Sequence, residues 1–185
     1  MILALILLAL ASYAIWVFNR LVRARNQVHV AWSDVDVQLQ RRHDLVPMLV
    51  ETVRGYAQHE SRLLERITVE RSHARSAQGV AERSDKETLL GLDLGRLLAL
   101  REAYPDLKAS DNFRQLSSQL VTIEDALQHA RRFYNGSVRE YNNDIQRFPD
   151  FLIARVTGFR DADFFAAESD ARAAVDVKLD PEQSP

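Results

Sequence analysis

Several stretches of this chain carry residue types at spacings that do chemistry elsewhere. His59-Glu60-Ser61-Arg62-Leu63 opens like a zinc-protease helix, in which two imidazoles four residues apart hold the metal on one face. The second ligand position is Leu63, so that chemistry lacks a ligand. Glu70-Arg71-Ser72-His73 has the Glu-x-x-His spacing of carboxylate-bridged dimetal bundles, which need a second such pair and two further inward glutamates. Glu124 is followed at the required place by Leu127, and both stretches read as solvated helix faces. No GxSxG, P-loop or GxGxxG occurs, and without cysteine there is no thiol catalysis, thiolate metal site or disulfide. No cofactor is expected.

Two polar groupings remain. RRHDLVP places Arg41, Arg42, His43 and Asp44 just before Pro47. Proline is tolerated in the first turn of a helix but costs about 3 kcal/mol in its interior. With Asp44 as N-cap, the spacing predicts that one helix ends and another begins within Arg42-His43-Asp44. Arg41 and Arg42 then sit at a helix C-terminus and Asp44 at an N-terminus, as the helix dipoles favour, so this helix corner needs no catalytic explanation. If the chain turns there, Glu60 comes level with Arg25 and Asn26, and Glu124 lies at nearly the same height, with Arg131 further along. That is an expected buried polar layer of Arg25, Asn26, Glu60, Glu124 and Arg131. A buried glutamate must be paired or protonated, so the layer fixes helix register, faces solvent, or forms a proton-linked or ligand site.

The elements that would position these groups are helical. Only six glycines and five prolines punctuate 185 residues, too few for the turns of an all-β chain. MILALILLALASYAIWVF has no charged side chain and spans about 27 Å as a helix, near the roughly 30 Å of bilayer hydrocarbon. Arg20, Arg23 and Arg25 follow it, which by the positive-inside rule puts the remainder in the cytoplasm. A cleaved leader ending near Ala9-Leu10-Ala11 lacks the basic n-region of such peptides. From Ser110, a helical N-cap, to Phe148, before Pro149, apolar residues alternate in steps of three and four. The same alternation runs from Leu21 to Arg42 and again from Val46 to Ala77. Ser84-Asp85-Lys86-Glu87 has capping-box spacing ahead of a leucine-rich segment. The fold expected is all-α: an N-terminal transmembrane helix, then an up-down antiparallel four-helix bundle of long, coiled-coil-like helices. Its parts are an anchor over 1–22, a bundle over 23–165 and an acidic, disordered tail over 166–185. With net charge −2 and no basic block, no nucleic-acid footprint is present.

RNQVHVAWSDVDVQLQRRHDLVPMLVETVRGYAQHE, EAYPDLKASDNFRQLSSQL, EDALQHARRFYNGSVREYNNDIQRFP and the closing GFRDADFF together resemble the LemA family, over about residues 19–165. The resemblance implies an N-terminal anchor with a very short outer end, a cytoplasmic helical bundle and no established enzymatic activity. Relatives take part in building membrane organelles or are encoded near membrane-protease and envelope-stress genes. His43 and Met48 depart from the family's usual pattern. The function expected is a non-enzymatic, self-associating scaffold or interaction protein, single-pass in the bacterial inner membrane with its N-terminus outside. Its expected partners are membrane lipid, further copies of itself and another membrane protein such as a protease. A carboxylate-layer enzyme or metal-binding bundle, and a lipid-organising protein, are the alternatives.

Overall fold

The computed structural model of the protein describes residues 1–165, which hold helices and their connections and no strand. The acidic tail expected over 166–185 lies outside the described residues. α1 (Ile2–Arg54) is one helix of 53 residues, about 80 Å long, which carries the apolar run straight into the first bundle helix. The chain then turns through Gly55 and the 3-10 turn Gln58–Glu60. α2 (Ser61–Ser76) descends beside α1 and α3 (Val80–Ala99) ascends. A 3-10 turn (Leu100–Glu102) and α4 (Pro105–Ala109) cross the far end. α5 (Asp111–Gln146) returns antiparallel to α1 along most of its length, and α6 (Asp150–Val156) folds against the base.

The apolar core has two parts. In the head, residues from all four long helices close a four-helix core around Leu49, Ile67, Leu94 and Phe113. Fully burying a side chain such as Leu49 contributes about 1.5–3 kcal/mol. Nearer the N-terminus, α1 and α5 continue as a two-helix stalk packed through Leu21, Val35, Leu127 and Val138. The stalk's open side is covered by an extended strap, residues 157–165, ending in the buried Phe165. Ser110 caps α5 as its sequence position suggests, its side chain accepting from the Phe113 amide at 3.4 Å.

Two boundaries differ from the sequence reading. No helix corner exists at Arg41, Arg42, Asp44 and Pro47, because α1 runs through all of them and Pro47 lies in its interior. Proline at 47 removes the donor that would serve the carbonyl of His43, four residues earlier. Arg71 of α2 supplies a replacement, its Nε donating to the His43 carbonyl at 2.6 Å. The helix survives its proline because a neighbouring helix closes the gap. The second difference concerns Ser84 and Glu87, which do not box the start of α3. That helix begins at Val80, after Gly79 at a φ of 77°, and buries both residues in its interior.

Candidate functional site

A layer of charge closes the proximal end of the head. Arg42, His43 and Glu87 are 1%, 1% and 0% exposed, deeper than such groups lie without partners. The Arg42 guanidinium donates through Nη1 to Glu124 Oε1 at 2.9 Å and through Nη2 to the Glu87 backbone carbonyl at 3.2 Å. It also pairs with the Glu87 carboxylate, whose Oε1 stands 2.8 Å from His43 Nε2. One arginine thus ties α1 to both α3 and α5. Burial pushes the Glu87 carboxyl up, but the contact with His43 and the charge of Arg42 overcome it and hold the group below its ordinary range. Burial works against the charge on Arg42 too, and Glu124 and Glu87 more than restore it. Arg42 faces both carboxylates at once and joins three helices at one height, which suits the cluster to setting register.

The layer expected from the sequence has other members. Glu124 lies in it, paired with Arg42. Glu60 does not: because the turn falls after Arg54, Glu60 sits at the far end of the head, accepting from Tyr104 Oη at 3.3 Å. Arg25 is exposed in the stalk, its guanidinium 5.0 Å from the Phe159 ring centre, and Asn26 faces outward. Arg131 stacks over Phe165 at 4.5 Å. Arg41 and Asp44 occupy the exposed face of α1, where Asp44 accepts from Gln40 at 2.8 Å.

The strap is held by a repeated pair of side chains. Asn135 donates from Nδ2 to the Phe165 carbonyl and accepts at Oδ1 from the Phe165 amide, both at 2.9 Å. One heptad on, Asn142 does the same to Ala162, at 3.0 and 2.9 Å. Each asparagine serves a strap residue as a neighbouring β-strand would. The preceding tyrosines reinforce them: Tyr134 Oη donates to the Asp163 carbonyl and Tyr141 Oη to the Arg160 carbonyl, each at 2.8 Å. Burial, with Asp163 nearby, pushes the Tyr134 phenol up to about 12.

The LemA family model matches residues 31–179, four-fifths of the chain and all of the layer and strap. The chain belongs to the LemA family. It is 26% identical to the magnetosome protein MamQ 2 of Paramagnetospirillum magneticum over 80% of its own length and 64% of that protein's. The magnetosome protein MamQ of Magnetospirillum gryphiswaldense matches with the same identity and coverage. The chain therefore spans somewhat under two thirds of these relatives. Protein LemA of Metamycoplasma hominis is 29% identical over 86% of the chain and 73% of that relative.

In this LemA chain the FYNGSVREYNND run acquires a physical role, since it contains both clamp pairs. The repeat of Tyr-Asn at seven residues was the sequence signal for it. The base of the stalk holds one more cluster. Arg20 pairs with Asp150 and, at 3.5 Å, with Asp144, while Tyr13 Oη donates to Asp150 Oδ1 at 3.1 Å. Asp150 is buried at the start of α6, so these contacts fix α6 beside the end of the apolar run. That run is long and apolar enough to cross a membrane. Among the described residues no group of three His, Asp or Glu side chains is placed to hold a metal ion.

Proposed function

We propose that this LemA-family chain is a membrane-anchored, non-enzymatic helical module that organises protein assemblies on the cytoplasmic face of a bacterial inner membrane. The observation that carries the reading is the continuity of α1. An apolar run of membrane length passes without a linker into the helix that forms the head's core. A flexible tether would let a catalytic domain tumble over its substrates, whereas a helix about 80 Å long holds the head at a set height and angle. Arg20, Arg23 and Arg25, just after the run, support the orientation with the N-terminus outside. The names of the magnetosome relatives support a part in organising membranes or envelope structures.

The same geometry favours self-association, because tethering raises the effective concentration of neighbouring heads. Leu89 and Leu92 on α3 and Val30 and Val37 on α1 are exposed apolar side chains for such contacts. Mass photometry of the full-length protein, extracted in native nanodiscs, tests this. The expected result is one uniform species holding several copies. A population of single copies would overturn self-association, and in-membrane crosslinking would then identify an unlike partner protein.

A further inference from the structure

α6 has two unlike faces. Asp150, Ile153 and Ala154 turn toward the stalk, where Asp150 meets Tyr13 and Arg20. Phe151, Leu152, Arg155 and Val156 turn away from it, and Leu152 and Val156 remain 51% and 88% exposed. Phe148, just before the helix, is exposed as well, its ring 6.2 Å from that of Phe151. Four apolar side chains on so short a helix and its lead-in are not a face that water accommodates well.

Their height along α1 says what covers them. Side chains lean toward the N-terminus of their helix, so Arg20 reaches back over Trp16, its guanidinium 5.2 Å from that ring. Asp150 receives Arg20 from one side and Tyr13 from the other, so the start of α6 is level with about residue 16. The uncharged run continues to Phe18. α6 is therefore alongside the inner end of the apolar run, where Tyr13 and Trp16 supply the aromatic side chains typical of a membrane-water interface. At the same height on α1, Ile15 and Trp16 are also exposed. Arg147 and Arg155 beside it are exposed and long enough to reach headgroup phosphates.

We propose that Phe148 and α6 form a second membrane contact, a foot inserted among the headgroups and upper acyl chains of the leaflet from which the stalk emerges. The occupant of this apolar face is the phospholipid bilayer. The foot rests on the reading of α1 as a membrane span, and it converts a single-point tether into a two-point stance. Asp150 is the joint between the two points: its ion pair with Arg20 settles how deep the foot sits relative to the span.

The absence of cysteine makes the test direct. Single cysteines replace Leu152 or Val156 in the foot, Leu8 in the apolar run and the exposed Ser118 on the head, in the full chain. Each is labelled with an environment-sensitive fluorophore and reconstituted into phosphatidylcholine nanodiscs, with or without lipids brominated high on their acyl chains. The expected result is a loss of fluorescence at positions 152 and 156 comparable to that at position 8, with none at 118. Quenching at 8 alone, with 152 and 156 behaving like 118, overturns the foot and leaves the anchor standing. A blue-shifted but unquenched label at 152 and 156 also overturns it, since protein and not lipid then covers the face. No quenching at 8 removes the anchor reading and the foot with it.

Discussion

Replacing Arg42 with methionine tests the charged layer, because methionine keeps most of the stem's volume while deleting the guanidinium. Three contacts disappear: the pair with Glu124, the pair with the Glu87 carboxylate and the bond to the Glu87 carbonyl. Glu124 is 33% exposed, so water replaces most of what it loses and its share is at most about 1 kcal/mol. Glu87, at 0% exposure, cannot turn to water and keeps only His43 as a side-chain partner, and breaking a buried pair costs about 3–5 kcal/mol. The expected loss is therefore about 3–5 kcal/mol, a large part of the 5–15 kcal/mol that holds a typical domain together.

The pH dependence should weaken with it. In the native protein Glu87 is held below its unfolded value, so its contribution is present above about pH 4.3 and is lost as pH falls through the lower folded value. In Arg42→Met burial and the His43 contact remain while the charge of Arg42 is gone, so the folded value rises toward the unfolded one and the loss of stability on acidification shrinks. Adding Glu87→Gln should recover about 1–3 kcal/mol, the coupling between two residues in contact. The assay is urea unfolding of the full-length protein in nanodiscs, followed by circular dichroism at several pH values. A loss under about 1 kcal/mol for Arg42→Met, with an unchanged pH slope, would show that the layer is hydrated and that its burial does not govern stability.

The proline and the strap give further expectations. Arg71→Ala should cost about 1–3 kcal/mol by leaving the buried His43 carbonyl without a donor. It should cost less in a Pro47→Ala background, where the backbone amide returns, a difference that a double-mutant cycle measures. Asn142→Ala removes two hydrogen bonds to Ala162 and should cost about 1–3 kcal/mol, read as faster amide exchange over residues 159–165. Tyr134, pushed up to about 12, contributes stability that is complete below about pH 10 and is lost as pH rises toward about 12. Strap release in that window should vanish in Tyr134→Phe, which amide exchange or cleavage within the strap would reveal.

The helical class, the extent of α5 and its cap were legible because each rests on neighbours in sequence: a seam of threes and fours, a serine at Ser110, a proline after the last turn. The corner was not, and the reason is physical. Pro47 looks like a first-turn residue so long as its missing donor has to be made good locally, but the donor comes from Arg71 on another helix. The true break at Gly55–Ala57 was disguised by Tyr56 and Glu60, which continue the four-three alternation across a turn. Misplacing the turn shifted the heights of everything after it. A layer of two carboxylates around an arginine was foreseeable in kind, yet its arginine is Arg42 rather than Arg25 and its second acid is Glu87 rather than Glu60. Glu87 was concealed by standing three residues after Ser84, a spacing that a capping box shares with two residues on one face of a helix interior.

The layer also answers a problem that the apolar seam leaves open. Leucines and valines repeating at heptad spacing pack almost as well when one helix slides past the other by seven residues, so the contact of α1 with α5 is ambiguous in register on its own. A slide in one direction would bring Arg42 opposite Arg131, setting two cations together; the other would bring it opposite Ser117, leaving Glu87 as its only carboxylate. Glu124 would meanwhile face Val35 or Leu49, both fully buried in the native register. Either slip strands charge in apolar surroundings at a cost of several kcal/mol. The Arg20 pairs with Asp144 and Asp150 impose the same choice at the base, and the Asp36 pair with Arg83, at 2.6 Å, fixes α3 between them. Polar contacts at three heights therefore specify a single alignment of a long and otherwise repetitive rod. A rod so aligned carries the depth of its membrane-facing end to the position of its head without an intervening hinge.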